Sequence, residues 1–189
     1  MPFSPGVMEH MKILLHLCCA NCAIYPVKVL REQNHDLAGF FFNPNIHPYL
    51  EFKRRLDAVR DYAACTELEV CYRDEYSLET FLAQVAHNPG TRCGYCYHSR
   101  LELTAQIAVE QGYDAFSTSL LFSRYQNHAM VRDLGEALAN RYGITFHYAD
   151  FRLGWKEGND TSRTMGLYRQ QYCGCIYSEK ERYYPRSSN

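Results

Sequence analysis

Seven of the nine cysteines in this 189-residue sequence fall into three short clusters. The clusters are Cys18, Cys19 and Cys22, then Cys93 and Cys96, and finally Cys173 and Cys175. Thiolates are preferred ligands of zinc and of iron–sulfur centres, and they also carry out disulfide exchange. Clusters so distant in sequence form one site only if the fold brings them together. The pattern therefore predicts a metal–thiolate or redox centre.

The spacing alone leaves several kinds of thiol site open. The second and third clusters together could form a closed, purely structural zinc site. Cys93 and Cys96 could instead work as a redox pair without metal. An iron–sulfur cluster usually takes four thiolates, which need not be contiguous, and would leave a spare pair. Cys173 and Cys175 are the natural spare pair, because a disulfide across one residue is strained and readily reduced. Cys22 could complete the cluster, hold a second metal or simply pack.

Short apolar runs alternate with helical patterns along the chain, which predicts a doubly wound α/β fold with a mostly parallel five-stranded sheet. The predicted strands are residues 12–17, 37–42, 68–72, 115–119 and 144–149. Helices are predicted between them, and Pro26 is expected near the first turn of the first helix. Ligands bind such sheets beyond the carboxyl ends of the strands. Cys18 and Cys19 follow the first strand, so we expect them to face a ligand.

The length predicts one catalytic domain over residues 12–179, after a flexible segment at 1–11 and before a polar tail at 180–189. From Phe151 onward we expect irregular structure. Twenty basic and 21 acidic residues give a net charge of −1, which excludes a globally basic coat for nucleic acid but allows local patches. No run approaches the roughly 18 apolar residues of a membrane span. Many cysteines without an export signal predict a reducing, cytoplasmic location.

Five sequence blocks carry a resemblance to a known family. They read LLHLCCANC at 14–22, FNPNIHP at 42–48, RCGYCYHSRLE at 92–102, DFR at 150–152 and GLYRQQYCGCIYS at 166–178. In this order the blocks are far more specific than a lone C-x-x-C. From Lys12 to Glu179 the sequence resembles the epoxyqueuosine reductases of the QueH type. Asn21 and Arg124 depart from it, because proline is common in the family at both positions.

The resemblance implies a cobalamin-independent iron–sulfur oxidoreductase that reduces the epoxide of epoxyqueuosine in tRNA, the last step of queuosine formation. It implies an adenine-nucleotide alpha-hydrolase-like fold and a [4Fe-4S] cluster. By position, the implied cluster ligands are Cys18, Cys19, Cys93 and Cys96. Cys173 and Cys175 look like a redox-active pair. A second mononuclear metal ion, iron or zinc, that uses Cys22 remains an alternative.

Reducing an epoxide to an alkene takes two electrons and two protons, so a cofactor must carry electrons and an acid must supply protons. Asp150, directly after the last predicted strand, is the candidate catalytic acid. Further candidates are His16, His47 and Tyr172, although His16 lies in an apolar strand and is more typical of a core histidine. The electron donor is left open.

The implied partner is a tRNA whose modified base lies in the anticodon loop, where bases are unstacked and bound by aromatic rings. Arg152, Arg169 and Tyr168 are the predicted contacts. Two basic sets are available for phosphates. The tail set, which we favour, is Arg152, Lys156, Arg163 and Arg169, and the helix set is Lys53, Arg54, Arg55 and Arg60.

Overall fold

A computed structural model describes residues 10–185, so the predictions for residues 1–9 and 186–189 lie outside the described residues. The strands are Lys12–His16 (β1), Asp36–Phe42 (β2), Val70–Arg73 (β3), Ala115–Thr118 (β4) and Thr145–Phe146 (β5). All neighbours pair in parallel, in the order β3-β2-β1-β4-β5. The predicted doubly wound sheet is confirmed.

Helices cover both faces of this sheet, which is why nearly every residue of the central strands β1 and β4 is buried. The helices are Ala20–Glu32 (α1), Tyr49–Thr66 (α2), Leu78–Val85 (α3), Arg92–Glu110 (α4), His128–Tyr142 (α5), Trp155–Thr164 (α6) and Ile176–Tyr183 (α7). Short 3-10 helices are formed by Pro89–Thr91, Ser119–Phe122 and Phe151–Gly154. Among residues 10–185, no helix combines the length and apolarity needed to cross a membrane.

The strand order of the sheet reverses at β1. Strands β2 and β3 lie on one side of β1, whereas β4 and β5 lie on the other. The segments that leave β1 and β4 therefore diverge at the carboxyl edge, and a crevice forms between them. Cys18 and Cys19 follow β1, and Ser119–Phe122 follows β4, so the first cysteine cluster lies at this switch point as predicted.

The edge strand β5 contains two residues, whereas the sequence predicts a strand over 144–149. The His147 amide still donates to the Phe116 carbonyl at 2.9 Å. The His147 carbonyl instead accepts from the Ser117 hydroxyl at 2.8 Å. A side chain thus replaces the backbone donor, which ends the ladder early.

Pro26 lies in the interior of α1 and not near its first turn, because the helix already begins at Ala20. The Cys19 side chain caps this helix by accepting from the Cys22 amide at 3.3 Å. Since proline has no N–H, the Cys22 carbonyl lacks its usual helical donor four residues later. The first turn of α1, which contains Cys22 and follows the capping Cys19, is therefore less tightly bonded to the next turn.

The C-terminal region is more regular than predicted, because α6 and α7 occupy much of residues 151–185. Helix α6 packs on α1 through small residues such as Gly158 and Ser162. A Cβ atom at Gly158 would lie 2.7 Å from the Phe122 ring, so this close approach requires glycine. The irregular part is limited to residues 165–175. The predicted domain boundary after residue 179 falls inside α7.

Candidate functional site

Three thiols lie together directly after β1. The Sγ atoms of Cys18, Cys19 and Cys22 all lie within 4.8 Å of one another, and all three residues are buried. The Sγ atoms of Cys18 and Cys19 are 3.9 Å apart. Within residues 10–185, no other group of three or more His, Cys, Asp or Glu side chains meets this criterion. We call Cys18, Cys19 and Cys22 the thiol trio.

Hydrogen-bond donors surround the trio. The Ser119 hydroxyl lies 3.3 Å from the Cys18 sulfur and accepts from the Cys18 amide at 3.0 Å. The Gln170 amide nitrogen lies 3.1 Å from the Cys19 sulfur and 3.6 Å from that of Cys22. These donors suit sulfur that carries negative charge.

The three thiols of the trio share limited capacity for charge. Hydrogen bonds from Cys19 and Cys22 hold the pKa of Cys18 well below its usual range. Burial raises the pKa of Cys19, and hydrogen bonds to Cys18 raise that of Cys22. The hydrogen bonds thus favour negative charge on the Cys18 sulfur, and a bound cation would favour ionisation of the other two thiols.

Arg100 is a buried cation beside the second cysteine cluster. Its Nη2 donates to the Cys96 sulfur at 2.8 Å, and its Nε donates to the Cys96 carbonyl at 3.0 Å. Burial lowers the pKa of Arg100, but the charges of Cys96 and Cys18 outweigh this and raise it overall. No carboxylate of residues 10–185 forms an ion pair with Arg100. A guanidinium stays charged even when it is buried. The charge of Arg100 must therefore be balanced by groups other than a carboxylate of residues 10–185.

Burial raises the pKa of Cys96 to about 12, even though the Arg100 charge opposes the shift. Without a metal, Cys96 is therefore a neutral thiol. Cys18, whose pKa is lowered, is then the thiol whose negative charge acts on Arg100. The ionised ligands of a bound centre would add further negative charge beside this guanidinium.

The third cysteine cluster has one exposed and one buried sulfur. Cys173 is exposed, and its sulfur accepts from the Gln126 amide at 3.3 Å. Cys175 is buried and caps α7 by accepting from the Ser178 amide at 3.4 Å. Cys175 also shares an apolar cluster with Cys96, which brings the second and third cysteine clusters together.

Arg55 ties the third cluster to α2. Its Nη1 donates to the Cys173 carbonyl at 2.7 Å and its Nη2 to the Tyr172 carbonyl at 2.9 Å. Its Nε donates to the buried Glu51 carboxylate at 2.7 Å. The His47 amide adds a fourth bond, to the Gly174 carbonyl at 2.8 Å. Residues 172–174 are therefore held in place through their own backbone carbonyls. The Cys173 sulfur takes no part in these bonds and remains available for other contacts.

Cys18 and Cys22 of the trio line one cleft of about 560 Å³ together with Arg100 and Cys173. Trp155 and Tyr125 line it as well. The Trp155 ring stacks on Phe122 with centroids 5.3 Å apart, and Tyr125, which is 83% exposed, meets it edge-on at 5.6 Å. Exposed aromatic rings of this kind bind unpaired nucleobases. The cleft thus joins a thiol site to a surface suited to a planar ligand.

Comparison with known proteins identifies the family. The sequence profile described as "Epoxyqueuosine reductase QueH" matches residues 13–181. The chain belongs to the QueH family. It is therefore an oxidoreductase, as the sequence predicts.

Named relatives of the QueH family cover nearly all of the chain. One from Dehalococcoides mccartyi is 40% identical over 172 residues, which is 91% of this chain and 94% of the relative. Another from Thermotoga maritima is 37% identical over 90% of this chain and 91% of the relative. Both bear the name epoxyqueuosine reductase QueH.

The fold is shared with a solved structure outside the QueH family. A predicted tRNA methyltransferase subunit from Methanocaldococcus jannaschii superposes with a TM-score of 0.51 at 14% identity. The match covers 80% of this chain and 74% of that protein. At this identity the likeness concerns the fold alone, a parallel α/β sheet of the kind that the sequence predicts.

Asp150 occupies a structural position in this QueH chain. It caps the helix Phe151–Gly154 and accepts hydrogen bonds from the Arg152 guanidinium at 2.7 and 2.6 Å. The Arg152 hydrogen bonds lower the pKa of Asp150 to about 2, so the carboxyl is ionised at neutral pH. Neither residue lines the cleft. An ionised cap cannot donate a proton, and the arrangement favours the capping role over catalysis.

The other two predicted substrate contacts differ from each other. Arg169 lines the cleft and donates to the Asn159 side chain at 3.0 Å. Tyr168 lies outside the cleft lining, and its hydroxyl donates to the buried Glu51 carboxylate. Tyr168 thus completes the same buried pair that positions residues 172–173. His16 is a core histidine, because its ring nitrogens meet Thr118 at 2.9 Å and Phe42 at 3.1 Å.

Sequence reasoning missed four residues of the site. Contacts to cysteine sulfur are made by Arg100, Ser119, Gln126 and Gln170. A signal existed for Arg100, because it lies four residues after Cys96 and therefore on the same helix face. The contacts of both glutamines depend on the fold and carry no local signal.

Proposed function

We propose that this protein is an epoxyqueuosine reductase that converts the epoxide of epoxyqueuosine in tRNA to the alkene of queuosine. The observation that carries this proposal is the buried Arg100 cation, which lies among cysteine sulfurs and lacks a carboxylate partner within residues 10–185. Such an environment suits an anionic iron–sulfur centre. The family membership supplies the reaction.

A [4Fe-4S] cluster fits the donor set. The proposed ligands are Cys18 and Cys19 at the end of β1, with Cys93 and Cys96 in the first turns of α4. Cys22 belongs to the trio, so it is the proposed ligand either of the cluster or of a second mononuclear iron or zinc ion. When bound, the cluster supplies low-potential electrons for the reduction. Arg100 balances part of its negative charge, and Gln170 donates to the cysteine sulfurs.

Cys173 and Cys175 are the proposed redox pair. When two thiols form a disulfide, they release two electrons and two protons. The epoxide takes up two electrons and two protons as it becomes an alkene and water, so the two half-reactions balance. A low-potential donor then reduces the disulfide. The Gln126 side chain donates to the Cys173 sulfur and the Ser178 amide to that of Cys175, so both sulfurs are held by hydrogen bonds.

Anaerobic purification with iron and sulfide analysis tests the cluster. We expect Cys18, Cys19, Cys93 and Cys96 to be required for iron binding, so Ser variants should lose it. Cys65→Ser is the matched control, because Cys65 is an exposed thiol on α2. Full iron content in any two of the four variants would overturn the ligand set. Zinc in place of iron would favour a structural module instead.

Turnover separates the redox pair from the ligands. Ser variants of Cys173 and Cys175 should keep the iron content and visible spectrum, yet fail to reduce epoxyqueuosine in tRNA. If they lose iron instead, the pair consists of metal ligands and the redox proposal is wrong. Mass spectrometry of the tRNA nucleosides measures the loss of one oxygen directly.

Arg169 is the proposed phosphate or base contact from the tail set. The other basic side chains of that set are paired, Lys156 and Arg163 with Asp160 and Arg152 with Asp150. Each phosphate contact contributes a slope of roughly −0.7 to −0.9 in log affinity against log salt. If Arg169 contacts a phosphate, Arg169→Gln flattens the slope by about one contact, and Lys156→Gln leaves it unchanged. A weaker affinity with an unchanged slope would indicate a base contact.

A further inference from the structure

Three residues that line the cleft each carry a buried polar atom with no hydrogen-bond partner among residues 10–185. They are the Oδ1 of Asn21, the Oε1 of Gln170 and the Nε of Arg169. Asn21 is 6% exposed, so its oxygen is well removed from bulk water. Leaving such groups unpaired costs free energy, and a binding site is the common reason for their presence. Two of these atoms are acceptors and one is a donor.

The orientation of the Asn21 amide follows from its neighbours. The Asn159 Nδ2 donates to the Trp155 carbonyl at 2.7 Å, which fixes the Asn159 Oδ1 as the acceptor on the other side. That oxygen accepts from the Arg169 Nη2 at 3.0 Å and from the Asn21 Nδ2 at 3.5 Å. Since the nitrogen of Asn21 faces Asn159, its oxygen is left available to a ligand.

The orientation of Gln170 is fixed in the same way by the trio. Its Nε2 lies 3.1 Å from the Cys19 sulfur, so the nitrogen is directed at the thiols. Its Oε1 has no partner among residues 10–185, so this oxygen could accept a hydrogen bond from a ligand in the cleft. The same residue thus contacts both the thiol site and the ligand space.

We propose that Asn21, Gln170 and Arg169 read the hydrogen-bonding edge of a guanine-type base. Such an edge offers two neighbouring donors, N1–H and the 2-amino group, and one acceptor, O6. Two acceptors and one donor from the protein complement it. Adenine offers one amino donor, while cytosine and uracil each present two acceptors and one donor, so none of them matches. The proposal rests on the proposed function, because the base of epoxyqueuosine is a 7-deazaguanine that keeps this edge.

The test uses the full-length protein and three RNA hairpins that differ only at one unpaired loop nucleotide. That nucleotide is guanosine, inosine, which lacks the 2-amino group, or adenosine. Fluorescence anisotropy at fixed salt measures their dissociation constants. We expect guanosine to bind roughly tenfold more tightly than inosine, the effect of one hydrogen bond, and still more tightly than adenosine.

Variants assign the discrimination to residues. Asn21→Ala and Gln170→Ala each remove one acceptor, and at least one of them should bring the guanosine-to-inosine ratio close to one. Gln33→Ala is the matched control, because Gln33 also has a buried, unpaired amide oxygen but does not line the cleft. The control should keep the full ratio.

The outcomes separate this proposal from the proposed function. Equal affinity of the unaltered protein for the three hairpins, including no measurable affinity for any, overturns base reading. So does full discrimination in both variants. Discrimination lost in one or both variants supports it. If discrimination is present but iron-loaded protein fails to reduce epoxyqueuosine, the base site stands and the proposed reaction fails.

Discussion

Removing Arg55 should destabilise the protein strongly and free the segment that carries Cys173. The guanidinium makes three bonds of 2.7 to 2.9 Å, to Glu51 and to the carbonyls of Cys173 and Tyr172. In Arg55→Met the Glu51 carboxylate stays buried but loses its bond to the guanidinium. It keeps the hydrogen bond from the Tyr168 hydroxyl. Breaking a buried ion pair from one side costs about 3–5 kcal/mol. That is a large part of the roughly 5–15 kcal/mol by which domains are stable.

Urea unfolding measures this loss. With a slope of about 2–3 kcal/mol per M, the midpoint should fall by roughly 1–2 M. Lys53→Met is the matched control, because Lys53 lies on the same helix and pairs with Asp57 at the surface. An exposed pair contributes about 0–1 kcal/mol, so the control midpoint should move little. Adding Glu51→Leu to Arg55→Met should restore part of the loss, because it removes the isolated carboxylate.

Hydrogen exchange reports the local effect. The His47 amide donates to the Gly174 carbonyl, so its exchange should accelerate when residues 172–174 are released. A midpoint for Arg55→Met within about 0.5 M urea of that of the unaltered protein would refute the reasoning, because the loss of a buried ion pair should shift the midpoint further. No recovery in the double variant would show that the buried carboxylate is not the main cost.

Three further predictions concern buried or paired charges. Arg100→Gln should lower the midpoint potential of the proposed cluster, because a nearby cation favours the reduced, more negative state. An EPR-monitored redox titration measures this potential. The control Arg132→Gln, at the surface, should leave the potential unchanged. Asp150→Asn should keep reductase turnover, since this carboxyl pairs with Arg152 and lies outside the cleft; a loss of turnover without a loss of stability would restore it as a catalytic group. Burial lowers the pKa of His47 to about 4, so between pH 6.5 and 4 the unfolded chain binds a proton that the folded protein does not. The free energy of unfolding should therefore fall as the pH drops through this range. Urea unfolding of His47→Phe should show a weaker decline, and an unchanged decline would contradict the prediction.

The central strands could be predicted from the sequence because both of their faces are buried. Strand β1 reads as an unbroken apolar run, and its predicted and observed bounds differ by one residue. Helix α6 could not be predicted, since Gly, Asn, Asp, Ser and Thr are weak helix formers. Its stability comes from close packing on α1, which is a tertiary effect. The edge strand β5 was overestimated for a related reason, because a side chain ends its ladder.

The thiols of the site were identified from spacing, but their surroundings were not. Cysteines are rare and reactive, so their clusters stand out in any sequence. The groups that set their charge are ordinary residues such as Arg100 and Gln170, and their function depends on position. Asp150 shows the converse, because its place after a strand suggested chemistry while its partner Arg152 makes it a cap.

The contact between Gln170 and Cys19 spans 151 residues, and this separation has a consequence for biosynthesis. During synthesis the trio therefore leaves the ribosome long before residues 170–175 do. Until residues 170–175 have been made, the cleft lacks the Gln170 side chain and the segment held by Arg55, so the trio is less enclosed than in the folded protein. If the trio holds the proposed cluster, this interval would leave its sulfurs accessible for loading before residues 170–175 pack against them.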